Sequence, residues 1–262
     1  MNLQDSTVLI TGGTSGIGFE IAKQLIEKGA KVIVTGRDQS KLDETKHLLP
    51  QLEIIQSDAA DPKQIEALRK TIETKFPKTN IVINNAGIMR KLNMHDARDL
   101  NDVTQEIEIN LMGPIRMTQE FLPFLKKQPS AAFMNVSSGL AFVPFAISPV
   151  YSATKAGLHS FSQALRIQLK YTNVKVFELA PPGTETPLFR GKEFSDADLG
   201  GIKGMDVKVL AKAAIDGLLS DTLEIRPGLS NALKWMSRIA PNFAANMLGK
   251  GAEPMIASTK RH

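Results

Sequence analysis

The chain has 262 residues, 42% apolar and 23% charged, a balance that fits a soluble globular protein and excludes disordered, collagen-like and coiled-coil classes. A chain of this length buries roughly 75% of its unfolded surface and needs no covalent staple. It contains no cysteine, which excludes disulfides, thiolate nucleophiles, iron–sulfur clusters and cysteine zinc sites and suits a reducing cytoplasm. The four histidines, His47, His95, His159 and His262, include no i, i+4 pair, so no metal site is expected. Met1–Ile10 runs into an apolar strand without a charged leader, and no apolar run approaches bilayer length. Neither a signal peptide nor membrane insertion is therefore expected. The net charge of +5 is unevenly placed: from Arg226 on, Arg226, Lys234, Arg238, Lys250, Lys260 and Arg261 face only Glu253, and the remainder is balanced. With no nucleic-acid motif and no aromatic–basic interleaving, the basic balance does not imply a nucleic-acid partner.

In chain order, short β-branched runs alternate with longer amphipathic segments. Thr7–Ile10 reads as a strand, Ile17–Glu27 as a helix, Lys31–Thr35 as a strand and Ser40–Leu49 as a helix. Strand Glu53–Ser57, helix Pro62–Lys75, strand Ile81–Asn84 and a long helical pattern over Asn101–Lys126 follow. Strand Ala131–Val136, helix Tyr151–Lys170, strand Val174–Leu179, helix Asp206–Ser220 and a short strand Leu223–Ile225 complete the series. Continuously apolar strands spaced by helices predict a parallel sheet covered on both faces. Right-handed crossovers then predict an α/β fold of the Rossmann type, a doubly wound sheet of about seven parallel strands with helices on both faces. No linker divides the chain, so one domain is expected over 1–225, followed by a basic, partly helical extension over 226–262.

The chemistry is concentrated at the strand ends. Gly12, Gly13, Thr14, Ser15, Gly16, Ile17 and Gly18 follow the first strand and open the first helix. Glycines allow a tight turn and close backbone approach, Gly18 permits helix–strand packing, and the helix N-terminus favours a pyrophosphate. The second strand ends in Gly36-Arg37 with no carboxylate to accept from ribose hydroxyls, and a guanidinium can clamp a phosphate through two parallel bonds. This points to NADP(H) over NAD(H). A surface turn in which Asp38 caps the next helix is the alternative reading. Tyr151-Ser152-Ala153-Thr154-Lys155 puts a phenol and an ammonium on one helix face. A nearby cation favours phenolate and lowers a tyrosine pKa that starts near ~10, giving a proton donor and acceptor for carbonyl/alcohol interconversion. Asn135-Val136-Ser137-Ser138 ends the fifth strand, where a hydroxyl can bond an oxygen as charge develops on it. Asn110 sits inside an otherwise apolar helical pattern, a disfavoured place that calls for a local partner.

These motifs, their order and the Asn84-Asn85-Ala86-Gly87 segment resemble the short-chain dehydrogenase/reductase family, in its short single-domain branch, over about residues 5–225. The resemblance implies four catalytic residues: Tyr151 passes the proton, Ser138 holds the substrate oxygen, Lys155 tunes Tyr151 and contacts the nicotinamide ribose, and Asn110 holds a water for proton relay. It also implies cofactor contacts by the turn residues Gly12, Thr14, Ser15, Gly16, Ile17 and Gly18, although Ser15 replaces a basic residue many NADP-using relatives carry. Arg37 meets the 2′-phosphate, Asp58 and Ala59 the adenine, and Asn85 and Gly87 the ribose. Asn84 is then structural. Thr184 and Thr186 approach the carboxamide, with Pro182 standing where the family's P-G-x-x-x-T segment has glycine. Glu178-Leu179-Ala180-Pro181-Pro182 is also similar to a subgroup associated with D-alanyl lipoteichoic acid genes.

The expectation is an NADP(H)-dependent oxidoreductase that interconverts a small-molecule carbonyl and alcohol, with no metal, located in the cytoplasm and assembled as a homodimer or homotetramer through the long helices. A catalytically silent NAD(P)-binding regulator on the same scaffold is the alternative. A lid is expected near 187–205, with Phe189 and Phe194 toward a pocket, Gly191, Gly200, Gly201 and Gly204 for mobility, and Arg190 and Lys192 able to meet an anion. Met89, Met94, Phe142 and Phe145 are further pocket candidates. Beyond Arg226, Leu229, Leu233, Trp235, Met236, Ile239 and Phe243 form an amphipathic pattern suited to covering the pocket of this or another subunit.

Overall fold

The computed structural model describes residues 1–188, 194 and 203–253. Strands β1 (Thr7–Thr11), β2 (Lys31–Gly36), β3 (Glu53–Gln56), β4 (Thr79–Asn84), β5 (Ala131–Val136), β6 (Val174–Leu179) and β7 (Glu224–Ile225) form one parallel sheet in the order β3-β2-β1-β4-β5-β6-β7. Helices α1 (Gly16–Glu27), α2 (Gln39–Leu48), α3 (Pro62–Lys75), α4 (Leu100–Ile107), α5 (Gly113–Leu125), α6 (Pro149–Gln168) and α7 (Val207–Leu219) make the crossovers. The side-chain alternation of each strand builds both cores. Val8, Ile10, Val32, Val34 and Met134 pack with Ile21 and Leu25 of α1 and Leu210 and Ile215 of α7. Leu9, Ile33 and Phe133 pack on the other face with Ile65 and Leu68 of α3, Phe121 of α5 and Leu165 of α6. Because both faces are buried, the strands have no polar face to alternate, hence their continuous apolar runs.

Strand order reverses between β1 and β4, which opens a crevice beyond their carboxyl ends. Capping aspartates start the helices around it. Asp38 accepts from Lys41 N at the start of α2, and Asp61 accepts from Lys63 N and Gln64 N ahead of Pro62 in α3.

The structure departs from the sequence pattern inside one expected helix. The single helix expected over Asn101–Lys126 is interrupted by a π turn, Glu108–Met112, that carries Asn110. The 226–262 extension forms α8 (Leu229–Ile239) and α9 (Pro241–Gly249), which lie on the molecule's own domain. Leu233 and Ala244 are buried with Val143, and Ala252 with Phe145 and Ile147. Among the described residues no helix is long and apolar enough to cross a membrane.

Candidate active site

The crevice is a cleft of about 490 Å³ running across the sheet's carboxyl edge. Its middle is the glycine turn. Gly12 has φ +66, and a Cβ there would come within 2.8 Å of Ala86 Cα, so only glycine lets the turn pass the end of β4. Thr14, Ser15, Gly16 and Ile17 line the cleft with Gly12, whereas Gly18 does not. Gly18 faces inward, where a Cβ would lie 2.4 Å from Asn85 Nδ2. That amide donates to Thr11 O at 3.0 Å and to Gly12 O at 2.8 Å. The Asn85 side chain therefore fastens the turn while still bordering the cleft, and Asn84 donates to Asn135 across β4 and β5.

One end of the cleft is polar. Arg37, Asp38, Lys41, Asp58 and Ala59 line it at the ends of β2 and β3. Asp58 accepts from Ala60 N, and the Asp38 carboxylate is taken up by the α2 cap. The exposed side chains of Arg37 and Lys41 have no hydrogen-bond or ion-pair partner among the described residues. Lys41 was missed by the sequence reading. Its signal was present all the same, since it lies in the first turn of the helix that Arg37 precedes.

At the far end Tyr151, Lys155 and Ser138 meet. Tyr151 and Lys155 share a face of α6, with Lys155 Nζ 5.6 Å from the Tyr151 ring centroid. Both are buried, at 6% and 4% exposure. The phenol pKa is pushed up to about 12, chiefly by burial, with the Ser138 hydrogen bond opposing and the Glu106 carboxylate reinforcing the rise. The expected lowering by Lys155 is not among these influences. Burial also pulls Lys155 down to about 8, and its Nζ donates to Val136 O at 2.7 Å. Ser138 caps the 3₁₀ turn Gly139–Ala141, where its Oγ accepts from Leu140 N at 3.1 Å, so its own proton is left to donate.

Asn110 is fully buried behind this end and does not line the cleft. Its Oδ1 accepts from Ile88 N at 2.9 Å and its Nδ2 donates to Ile88 O at 2.8 Å. The π turn swings this side chain out of the helix register to reach the β4 loop. Gly87 lines the cleft beside it; a Cβ there would lie 3.2 Å from Asn110 Oδ1 and 3.7 Å from Lys155 Nζ. Thr184 and Thr186 border the cleft too, with Thr184 Oγ1 donating to Pro182 O and Thr186 Oγ1 to Thr184 O.

The roof over this end comes from the extension. Leu229 and Leu233 of α8 and Leu248 of α9 join Ile88, Met89, Leu140, Phe145 and Leu188 in lining it. Phe194 packs with Phe145 and Ile147, while Met94 is 65% exposed and does not line this cleft. Of the expected lid, Phe189, Arg190, Gly191, Lys192, Gly200 and Gly201 lie outside the described residues.

A second polar cluster flanks the site, unread in the sequence because its members are far apart in the chain. Glu178, fully buried in β6, accepts from Ser137 Oγ at 2.5 Å and lies 2.8 Å from His159 Nδ1, one turn beyond Lys155 on α6. Glu224 accepts from Lys234 of α8 and from Arg226. Partial burial works against its ionisation, but Lys234, Arg226 and His159 outweigh this and hold the carboxyl below its ordinary range. The potential ligand atoms of His159, Glu178 and Glu224 lie within 4.8 Å of one another. Glu224 is already paired with Lys234 and Arg226, and Glu178 is bonded to Ser137 and His159, contacts that a divalent cation would have to displace.

A doubly wound sheet whose crevice joins a glycine-rich helix start to a buried tyrosine–lysine–serine group defines a class of protein, the oxidoreductases built on a dinucleotide-binding fold. Comparison with known proteins gives the family. The short chain dehydrogenase family model matches residues 6–196, and the chain belongs to the short-chain dehydrogenase/reductase family of oxidoreductases. The uncharacterized oxidoreductase DltE of Bacillus subtilis (strain 168) is 42% identical over 228 residues, covering 86% of this chain and 89% of that protein. That similarity agrees with the subgroup resemblance of the Glu178–Pro182 segment. A short chain dehydrogenase from Burkholderia cenocepacia J2315, in complex with NADP, has a TM-score of 0.81 at 22% identity, covering 95% of this chain and 99% of that one. A short chain dehydrogenase/reductase from Burkholderia phymatum, in complex with NAD, has a TM-score of 0.79 at 19% identity, covering 89% and 93%. At these identities the two structures speak for the fold.

Proposed function

We propose that this protein is an NADP(H)-dependent oxidoreductase that interconverts a carbonyl and an alcohol, with Tyr151 as general acid and base. The observation that carries the reading is the buried Tyr151 hydroxyl, hydrogen-bonded to Ser138, one helical turn from Lys155 and open to the cleft. The cleft fits a dinucleotide phosphate. Gly12 brings the turn's backbone close, the start of α1 offers its free N–H groups, and Arg37 and Lys41 stand unpaired beside Asp38 and Asp58, whose carboxylates are bonded to Lys41 N and Ala60 N. Arg37 and Lys41 would hold the 2′-phosphate, Asp58 and Ala59 the adenine, Gly87 and Lys155 the nicotinamide ribose, and Thr184 and Thr186 the carboxamide. When bound, the nicotinamide supplies or accepts the hydride.

The chain's own residues do the rest. With its pKa near 12, Tyr151 is protonated at neutral pH and enters carbonyl reduction as the acid. Ser138 receives its turn's N–H and so presents its own proton to the substrate oxygen. Lys155, held by Val136 O, keeps a positive charge beside the phenol that favours the phenolate left after proton transfer. Asn110, tied to both backbone groups of Ile88, is the fixed polar group that would hold a water from which a proton returns through Lys155.

Two variants test this. Tyr151→Phe is expected to lower kcat at least 1,000-fold in an assay over a carbonyl panel, with NADPH affinity by fluorescence titration within about threefold; undiminished turnover would refute the assignment. Arg37→Ala with Lys41→Ala is expected to raise the NADPH Kd at least tenfold while leaving NADH unchanged. An equal loss for both cofactors would remove the phosphate role.

A further inference from the structure

We infer that Glu178 is a positioning residue for the reaction: by holding Ser137 of β5 and His159 of α6 on one carboxylate, it sets the separation of the Ser138 and Tyr151 hydroxyls. This rests on the oxidoreductase reading above and adds a residue to that same site. Glu178 stands in β6 on the face that Val174 and Val176 turn toward Leu165 of α6. An apolar residue would continue that pattern. A carboxylate at 0% exposure instead carries a desolvation cost that its bonds must offset. Those bonds are present on both sides. Ser137 Oγ donates to Oε1 at 2.5 Å, and His159 Nδ1 lies 2.9 Å from Oε1 and 2.8 Å from Oε2. His159 is itself held, with the Phe142 ring packed edge-to-face at 5.0 Å between centroids and the Gln163 amide 3.1 Å from its Nε2.

Four successive residues at the end of β5 are tied to α6. Asn135 Nδ2 donates to Ser162 Oγ at 2.9 Å, and Val136 O accepts from Lys155 Nζ at 2.7 Å. Ser137 reaches His159 through Glu178, and Ser138 is hydrogen-bonded to Tyr151. The last tie opens in the reaction, because both hydroxyls must turn to the substrate oxygen. The tie through Glu178, one residue from Ser138 and two helical turns from Tyr151, takes no part in that exchange and stays closed. A carboxylate suits the task, since its two oxygens only accept and so take both donors at once. Firm placement matters at this step, where a misplacement of about 1 Å can cost roughly 100-fold in rate.

The test uses the full chain with its tyrosines 13C-labelled at Cζ. There are two, Tyr151 and Tyr171, so Tyr171→Phe assigns the Tyr151 resonance, which reports the hydrogen bond with Ser138. NADPH oxidation with 4-nitrobenzaldehyde, ethyl acetoacetate and cyclohexanone gives kcat and KM. We expect Ser137→Ala and His159→Leu to shift the Tyr151 resonance in the same direction and to lower kcat at least tenfold, with KM and NADPH affinity within about threefold. The double variant should fall no further than the weaker single one, because both act through one carboxylate. His159→Asn and Glu178→Gln keep a donor and an acceptor at each contact and should hold kcat within about threefold of the parent. Ser137→Ala retains the Glu178–His159 pair and carries the test if His159→Leu, which leaves that carboxylate unpaired, does not fold. An unmoved Tyr151 resonance or an unchanged kcat in Ser137→Ala overturns the inference and leaves the oxidoreductase reading intact. Shifted resonances with no turnover by the parent on any of the three carbonyls overturn that reading and this inference with it.

Discussion

Lys155 and Tyr151 are both taken out of water, and each responds by favouring its neutral form. For Lys155 the fall from 10.5 to about 8 corresponds to a cost of about 3 kcal/mol for holding the charge in the folded free chain at neutral pH. Between pH 8 and 10.5 the unfolded chain binds the proton and the folded chain has released it, so this group's contribution to stability rises with pH across that window. Tyr151 has the opposite sign. Its folded pKa is raised, so its contribution is complete below pH 10 and is lost as pH climbs toward 12. Lys155→Met should therefore melt a few degrees higher than the parent at pH 7, with the gap closing as pH rises from 8 to 10.5, and should show no turnover. Thermal unfolding across that range checks it, and a gap independent of pH would contradict the assigned cause. The tyrosine–lysine spacing was legible in the sequence because i, i+4 geometry is local. The direction of the tyrosine shift was not, because the burial that raises it, the Ser138 bond that opposes it and the Glu106 charge that reinforces it come from segments outside that helix.

At the scale of elements, the site depends on two irregularities. The π turn at Glu108–Met112 delivers Asn110 to Ile88, and the 3₁₀ turn at Gly139–Ala141 carries Ser138 below α8. The sequence marked Asn110 as out of place in a helix but gave no sign of the extra residue in the turn, since the bonds to Ile88 that stabilise it are tertiary. Gly139 reads as a loop glycine until α8 is seen against it. Gly139→Ala must push Ser230 and Leu233 outward, at roughly 1–3 kcal/mol for an overpacked contact. We expect it to raise the KM for a carbonyl substrate at least fivefold, through the displaced α8, with NADPH affinity within about twofold. Steady-state kinetics with both substrates varied separates the two.

In the whole molecule, α8 and α9 bring Leu229, Leu233 and Leu248 to one end of the cleft. The apolar pattern noted beyond Arg226 divides in the structure. Leu233 and Met236 pack with Val143 and Phe142, whereas Trp235, Ile239 and Phe243 remain 59%, 79% and 64% exposed. Truncation after Gly228 removes Leu229, Leu233 and Leu248 from the cleft and uncovers Phe142, Val143, Phe145 and Ile147. Such a chain should melt several degrees lower and lose at least tenfold in kcat/KM for a ketone substrate, yet keep NADPH affinity within about threefold, because the glycine turn and Arg37 lie across the sheet. Calorimetry and cofactor titration measure both. A truncated chain with unchanged ketone kinetics would show that the roof plays no part in the site.

The amino-acid sequence by itself determined the α/β alternation, the order of the strands and helices, and the short-range spacings that carry the chemistry: the glycine turn, the tyrosine–lysine step and the serine pair at the end of β5. Each depends on backbone preference or periodicity within a few residues. Only the tertiary structure decided that Gly18 and the Asn85 amide serve the turn from inside. It also joined His159, Glu178, Glu224 and Lys234 in one cluster and made the extension the apolar roof of the cleft. These features are contacts between segments far apart in the chain. Their partners are chosen by packing and charge neutralisation in the folded state, and local sequence carries no record of that choice.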